Sequence, residues 1–289
     1  MTERSLYRKF PNMNSNIIKI FCLFFGITGF VLLSINIYGL NQSLRPKPPQ
    51  IQDLRFGKND VSLQLEEYLK QIQKLDGESE ARFSSRLAHV IAQGTAHIHW
   101  MDYDVERFNQ RVPVWENWIL FGMGIISNIP EYQRYHFSNP YKSIERGIGV
   151  CGEVSMVMEQ LLEQNDIRSE IISFAGHVIV SATVDDSEVL LDPDFGVTIP
   201  FPIERLAENI DVVKEIYLDA GYTEQDAAFF DKAYTGSYSV WEGPHHFITK
   251  KYYFENVSYV LKWLIPIVLL ITSYWMYSRL KRSKNGFFK

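Results

Sequence analysis

The sequence predicts an α+β domain held between two membrane-spanning helices. Three observations indicate this architecture: long apolar runs near both ends of the chain, helix-period apolar spacing in the first half of the intervening segment, and β-rich runs after Cys151. With 289 residues, 46% of them hydrophobic, the chain can form one well-packed domain plus membrane segments, but hardly two full domains.

The first apolar run predicts a transmembrane helix over residues 17–40. After Lys19 no charged residue occurs until Arg45. This uncharged run is long enough to cross a hydrocarbon core of about 30 Å as a helix. A cleaved signal peptide is the alternative, but no small-residue cleavage pattern follows the run. The prolines within residues 41–52 predict a stiff, extended spacer between this helix and the domain.

The second apolar run predicts a transmembrane helix over residues 257–277. Lys262 lies close enough to the start of this run for its ammonium group to reach the membrane interface. Pro266 can kink such a helix without preventing it from spanning. Aromatic residues near both ends of the run are typical of membrane interfaces.

Charge predicts the orientation of both segments. Basic residues crowd residues 1–16 and the tail 278–289, so the positive-inside rule places both termini in the cytoplasm and the domain, residues 53–250, outside. The chain between the basic ends, without Lys19 and Lys262, holds 19 basic and 33 acidic residues, a net charge of about −14. This acidity argues against nucleic acid as a partner.

Helices are predicted early in the domain and strands later. Apolar periodicity indicates helices over residues 61–75, 78–98, 115–126, 203–220 and 224–233. The aromatic stretch 132–141 predicts a loop, with breaks at Pro130 and Pro140. After Gly149 the predicted elements are a helix from Cys151 to about Asn165, strands over 170–174 and 177–184, a turn over 185–187, and a strand over 188–192.

Cys151 is the main candidate for chemistry. The chain has 2 cysteines, and the other, Cys22, lies in the first apolar run, so the domain cannot form an internal disulfide. A helix N-terminus stabilises a thiolate, and the same backbone amides can receive an oxyanion. Gly149 and Gly152 would let a substrate approach this turn. A buried, unreactive cysteine is the alternative.

His177 and Asp192 are the candidate partners of Cys151. His177 opens one predicted strand and Asp192 closes the next, with the predicted turn midway between them. If the hairpin register places odd positions opposite even ones, both side chains face the same side of the sheet. The carboxylate would then fix the imidazole tautomer and leave the other ring nitrogen for the thiol. The alternative is a surface-strand histidine and an aspartate that caps a turn.

The segment 143–197 resembles the transglutaminase-like superfamily. The resemblance rests on the order and spacing of four motifs: Gly149-Val150-Cys151-Gly152-Glu153-Val154-Ser155, Asn165-Asp166-Ile167-Arg168-Ser169-Glu170, Gly176-His177-Val178 and Leu191-Asp192-Pro193. It implies a papain-like fold in which a helix bearing the cysteine packs on an antiparallel sheet.

The same resemblance implies a role for each site residue. Cys151 would be the nucleophile, His177 the general base and then acid, and Asp192 the residue that orients the ring, with Asp194 as a weaker candidate for that third role. Asp166 and Val178 depart from the usual family residues, which leaves substrate preference open. Candidates for a second oxyanion donor are Trp118, Tyr135 and His136.

These features together predict a membrane-anchored thiol enzyme that performs acyl transfer or hydrolysis at an amide bond of a peptide or protein, without a cofactor or metal, in the cell envelope. The alternative is a catalytically inactive module of the same family that binds a peptide or polysaccharide. A second alternative is a metal site formed by a cluster of four residues, His97, His99, Asp102 and Asp104. The pair His245-His246 predicts a loop.

Overall fold

The computed structural model describes residues 15–54 and 61–285, which form two compact units. One unit contains the chain up to Gln42, Val114–Ile119 and the chain from Ser258 onward, and the other contains Ser43–Pro113 and Leu120–Val257. Most of the predicted N-terminal segment 1–16, residues 55–60 at the start of the predicted domain, and the end of the predicted tail lie outside the described residues.

Two long helices make up most of the first unit. Helix α1 is Ser15–Gly39, and α11 is Thr249–Asn285, of which the part from Ser258 belongs to this unit. Both are long and apolar enough to cross a membrane. The Ser273 hydroxyl donates to the Cys22 carbonyl at 2.7 Å, and a Cβ added at Gly29 would lie 2.9 Å from the Pro266 carbonyl oxygen. Small residues therefore allow the two helices to approach closely.

The second unit contains the helices and strands of the predicted domain, and its α+β class is confirmed. Its helices are α2 (Leu65–Gln71), α3 (Glu80–Gly94), α4 (Trp118–Ile126, partly in the first unit), α5 (Pro130–Gln133), α6 (Pro140–Arg146), α7 (Cys151–Glu163), α8 (Ile210–Asp219), α9 (Glu224–Tyr234) and α10 (Gly243–Phe247). Its strands are β1 (Ser169–Phe174), β2 (His177–Val184), β3 (Ser187–Asp192), β4 (Val197–Ile199) and β5 (Tyr238–Trp241).

The strands form one antiparallel sheet in the order β4-β3-β2-β1-β5. Alternate residues of β2 face opposite sides: Val180 and Ala182 join a core with α2, α3 and α7, whereas Ile179 joins an aromatic core with α8 and α9. The sheet is thus covered by helices on both faces. The sequence analysis missed β4 and β5, which have 3 and 4 residues and depend on pairing with neighbouring strands.

The β2–β3 hairpin has the odd-to-even pairing under which His177 and Asp192 face the same side of the sheet. Its register pairs Val180 with Leu191 and Val184 with Ser187, so odd positions lie opposite even ones. The turn consists of Asp185 and Asp186, both left-handed at φ 48° and 62°, the backbone of a two-residue hairpin turn. Ser187, predicted in the turn, is instead the first residue of β3.

The sequence predicts a loop with a break at Pro140, but Pro140 is instead the first residue of helix α6. Proline is favoured in the first turn of a helix, where its missing N–H has no intrahelical partner. Asn139 caps the helix by accepting from the Tyr141 amide at 3.0 Å, and Gly147 ends it in the left-handed region at φ 64°. Other helices are shorter than predicted, and residues 203–209 form 3₁₀ turns before α8.

The segment after α3 helps to position Cys151. The predicted helix 78–98 ends at Gly94 because the chain becomes extended at Thr95. Ala96 then donates to the Gly147 carbonyl at 2.9 Å and accepts from the Gly149 amide at 3.2 Å. This short parallel pairing fixes the backbone two residues before Cys151.

The predicted spacer does not stand free of the domain. Leu44 is fully buried, and its carbonyl accepts from the Asn109 amide nitrogen at 2.9 Å. The Arg45 guanidinium donates to the Gly94 carbonyl at 3.0 Å. Residues 44 and 45 are therefore packed against the second unit by side-chain and backbone contacts.

A buried ion pair fixes the first turn of α7. Glu153 is 1% exposed and accepts from Arg146 at 2.7 and 2.6 Å through its two oxygens. The Ser143 hydroxyl also donates to it, at 2.7 Å. Burial acts to raise the pKa of Glu153, but Arg146 and His136 outweigh it and lower the pKa to about 2.

Replacement of Arg146 by methionine is expected to lower the free energy of unfolding by about 3–5 kcal/mol, because Glu153 would keep its buried charge without the guanidinium. The parent chain should lose this contribution as the pH falls from about 4.5 toward about 2, since protonation ends the ion pair. Urea unfolding of the full chain in detergent micelles measures both effects.

Arg111→Met is the matched control for this prediction. Arg111 pairs with Glu106, whose side chain is 58% exposed, so its loss should cost no more than about 1 kcal/mol. Equal destabilisation by the two substitutions would contradict the role assigned to the buried pair.

Candidate active site

Cys151 is the first residue of α7. Its neighbour Val150 caps the helix in an extended conformation, without a side-chain cap. The amides of Glu153 and Val154 donate to the Val150 carbonyl, so those of Cys151 and Gly152 precede the first intrahelical bonds. The residue is partly exposed. A substrate can therefore reach the sulfur beside a helix N-terminus.

His177 begins β2 after a tight turn at Gly176, which has φ 94°. The Ser155 hydroxyl of α7 donates to the Val178 carbonyl at 3.0 Å, which joins the helix to the start of the strand. A ring nitrogen of His177 lies within 4.8 Å of the Cys151 sulfur. Nε2 lies 2.7 Å from Asp192 Oδ2, which leaves Nδ1 for the sulfur.

Asp192 is fully buried at the end of β3. Its Oδ1 accepts from the backbone amides of Asp194 at 3.0 Å and Phe195 at 3.3 Å. Besides His177, its Oδ2 accepts from the hydroxyls of Tyr217 at 2.6 Å and Tyr234 at 3.3 Å. This set of donors stabilises a charged carboxylate away from water.

The electrostatics favour a charged imidazole. Burial disfavours the charged ring, but the Asp192 carboxylate and the Cys151 sulfur outweigh it, and the pKa of His177 is raised well above its usual value. Burial and the Asp192 charge raise the pKa of Tyr217 well above its usual value, so its hydroxyl stays protonated and can donate. The position of the ring between the Asp192 carboxylate and the Cys151 sulfur therefore favours its charged form.

Aromatic side chains enclose the His177 ring. The rings of Phe195 and Phe230 lie 5.7 and 5.6 Å from it, and those of Phe229 and Tyr234 lie 6.0 Å from it, measured between centroids. His177 is only 1% exposed. The ring is thus held in one orientation and kept from bulk water, while the sulfur remains accessible.

Asp194, the weaker candidate for the orienting role, belongs to a second buried pair. Its Oδ1 lies 2.8 Å from His97 Nε2, and one of its oxygens also lies within 4.8 Å of both the Cys151 sulfur and a His177 nitrogen. Asp192 makes the short contact with His177, so the structure places Asp192 in the orienting position. The His97–Asp194 pair forms one wall of the site.

The residues of the alternative metal site differ in burial in the structure. His97 is 2% exposed, whereas the side chains of His99 and Asp102 are 44% and 72% exposed, with 3.9 Å between their nearest charged atoms. Within the described residues, the donor atoms close enough to share a metal are instead those of Cys151, His177 and Asp194. Zinc uses these donor types, but the imidazole would first have to lose its proton.

The three candidates for a second oxyanion donor have other partners. The Tyr135 hydroxyl donates to Glu255 at 2.9 Å, and the Trp118 indole nitrogen, in the first unit, donates to the Lys262 carbonyl at 3.4 Å. His136 Nδ1 lies 3.2 Å from Glu153, and its ring stacks on Trp100 at 4.9 Å. Burial lowers the pKa of His136 despite Glu153. The backbone amides of α7 are thus the donors beside the sulfur.

Two residues that support the site were not predicted from the sequence: Tyr217 and Tyr234 lie on helices that follow the hairpin. His97 was predicted only as a candidate metal ligand, and its pairing with Asp194 was not predicted. Helical periodicity predicted α8 and α9 as packing elements, but no local pattern indicates that two of their tyrosines contact Asp192.

Comparisons of the chain with protein-family models, with curated proteins and with solved structures found no match.

Asp192→Asn is expected to lower the free energy of unfolding by about 3–5 kcal/mol at about pH 6, because the buried imidazolium would lose its counter-charge. Since the folded-state pKa of His177 is raised, its contribution is complete below about pH 6.5 and is lost as the pH rises through the folded-state value. The deficit should therefore shrink as the pH rises above about 6.5.

Urea unfolding of the full chain in detergent micelles at a series of pH values measures this deficit. Asp211→Asn is the control, because Asp211 is 95% exposed and its loss should leave the profile unchanged. A deficit that stays the same across the pH range would show that the charge of His177 does not contribute to it.

Proposed function

We propose that this protein is a membrane-anchored thiol enzyme that acts on amide bonds by acyl transfer. The proposal depends on one observation: the Cys151 sulfur lies within 4.8 Å of a nitrogen of His177, whose Nε2 is held 2.7 Å from the buried Asp192. A nucleophile, a base in reach of it, and a third group that orients the base are the parts required for covalent catalysis at a carbonyl.

In the acylation step, the Cys151 thiolate attacks the carbonyl carbon of an amide and forms a carbon–sulfur bond. The carbonyl oxygen becomes an oxyanion, for which the amides of Cys151 and Gly152 are the nearest donors on α7. The His177 imidazolium then gives its proton to the amide nitrogen, the carbon–nitrogen bond breaks, and an amine leaves. A thioester on Cys151 and a neutral imidazole remain.

In the second step, the neutral His177 accepts a proton from water or from a second amine as that nucleophile attacks the thioester. The carbon–sulfur bond breaks, and a carboxylic acid or a new amide is released. Asp192 stabilises the imidazolium that forms again. Hydrolysis is the reaction we assign, since Cys151 is partly exposed and water is always present.

We also propose that the domain belongs to the transglutaminase-like superfamily and has its papain-like fold. A helix that begins at the cysteine, a strand that begins at the histidine, and the adjacent strand that ends at the aspartate agree with the arrangement that the sequence resemblance implies. The substrate would be a peptide or protein in the cell envelope. The two apolar helices support a two-pass anchor with the domain outside the cell.

Alkylation of Cys151 by iodoacetamide tests the triad in a Cys22→Ser background, which leaves a single thiol. The imidazolium beside the sulfur should favour the thiolate, so the parent chain should still react rapidly at about pH 6. In His177→Ala the rate should fall about tenfold for each pH unit below about 8.5, as for a free thiol. Mass spectrometry of the intact chain gives the rates.

His246→Ala is the control for the loss of a histidine, because His246 is exposed on α10. If the parent and His177→Ala have the same pH profile, the thiol enzyme is excluded. The inactive module that binds a peptide or polysaccharide would then be favoured.

The proposed orientation predicts the outcome of protease accessibility. In intact cells, tags at both termini should be protected from an external protease, while the segment between the apolar helices is cut, because both basic ends would face the cytoplasm. Permeabilised cells provide the control, in which both tags should be digested. Digestion of either tag in intact cells would contradict the orientation.

A further inference from the structure

The second unit has a groove at the end of α7 that is far from Cys151. It has a volume of about 500 Å³ and is lined by the C-terminal part of α7, the start of β1, the turn into α10 and Tyr252. Its charged and titratable residues are Glu159, Glu163, Arg168, Glu170, Glu242 and His245. We refer to it as the acidic groove.

Glu159 is the unusual residue of the acidic groove. It is 5% exposed, and its Oε2 has no hydrogen-bond partner among the described residues. A Cβ added at Gly243 would lie 2.7 Å from its Oε1, so the carboxylate is pressed against the backbone at the turn into α10. Burial without a partner costs free energy for a charged carboxylate, and a cationic ligand would offset this cost.

The surroundings favour a cation over an anion or a neutral group. The groove is lined by four glutamates and one arginine. Glu163 is also the last residue of α7, where the helix dipole favours positive charge. Tyr252 and His245 supply rings to the same wall, 6.2 Å apart, and an aromatic face can contact an ammonium or guanidinium group.

The positions of the glutamates favour an organic cation over a metal ion. Within the described residues, the donor atoms close enough to share a metal belong to the Cys151 site, and none of the groove glutamates is among them. A calcium or magnesium ion needs several oxygens converging on one point. A side chain with an ammonium or guanidinium group instead fits an elongated groove with one buried carboxylate.

We propose that the acidic groove binds a lysine or arginine side chain of a peptide substrate, with Glu159 as the main contact. This inference rests on the proposed function and names its substrate class. Glu159 follows Cys151 by two turns of α7, a distance of about 12 Å along the helix axis. An extended peptide covers that distance in about four residues, so at least that number of residues separates the basic residue from the amide that Cys151 attacks.

Fluorescence anisotropy with a labelled tetralysine peptide tests the proposal on the full chain in detergent micelles. The parent chain and Cys151→Ala should bind the peptide equally. Glu159→Gln should weaken binding by about 30-fold or more, because the substitution removes the buried partner of the cation. The same peptide with acetylated lysines should not bind.

The matched control is Glu208→Gln, an exposed glutamate outside the groove, which should bind as the parent does. Glu159→Gln removes a buried charge and keeps the side-chain shape, and its thermal unfolding verifies that the chain is folded. If Glu159→Gln binds as tightly as the parent, or if acetylated and free peptides bind alike, the proposal is overturned.

The pH dependence of binding gives a second test. Burial, with Glu163 adding to it, raises the pKa of Glu159 to about 7, so peptide affinity should rise from about pH 6 to pH 8 as the carboxylate ionises. Glu163, Arg168, Glu170, Glu242 and His245 also face the groove, and they are unchanged in Glu159→Gln. The rise should therefore be much smaller in Glu159→Gln, and equal profiles would contradict the assignment.

The peptide assay is independent of the alkylation assay. If alkylation does not depend on His177 but peptide binding depends on Glu159, the groove is a binding site of a non-catalytic protein. The proposal that the groove binds a substrate is then wrong. If alkylation depends on His177 but Glu159 does not affect peptide binding, the enzyme proposal stands and the groove is not its substrate site.

Discussion

The buried contact between Asp192 and His177 is the interaction on which the candidate site depends. The two side chains come from neighbouring strands, and the same carboxylate accepts from Tyr217 on α8 and Tyr234 on α9. A charge without water must have several donors. The helices on this face of the sheet are therefore required for the site even though they carry no reacting atom, because they supply the two hydroxyl groups that donate to the carboxylate.

A second buried carboxylate positions the other half of the site. Glu153 lies two residues after Cys151, in the first turn of α7, and is held by Arg146 and Ser143. One carboxylate thus fixes the imidazole from the sheet, and the other fixes the helix that carries the thiol. Buried ion pairs add little net stability compared with apolar packing, but they tolerate few alternative geometries. Such pairs suit a site that needs a defined distance between sulfur and ring more than it needs extra stability.

The sequence predicted the parts of the site that depend on local patterns. Side chains alternate between the two faces of the sheet along each strand. This predicts that His177 and Asp192 share a face in every hairpin register that pairs odd positions with even ones, as the observed register does. The glycines before Cys151 likewise indicate the start of α7. Tyr217 could not be linked to Asp192 in this way, because its contact depends on how α8 packs against the sheet. Strand β5 was missed for the same reason, since its four residues pair only with β1.

The two ends of α7 have opposite electrostatic preferences, and the chain uses them differently. The N-terminus, with its free amides, favours the negative charge of a thiolate and of an oxyanion, and Cys151 lies there. The C-terminus favours positive charge, and Glu159 and Glu163 reinforce that preference where the acidic groove lies. A peptide that reaches both ends would therefore meet an anion-stabilising end at its carbonyl group and a cation-binding end at a basic side chain. The separation of the two ends is constant, because the length of the helix is fixed by backbone hydrogen bonds.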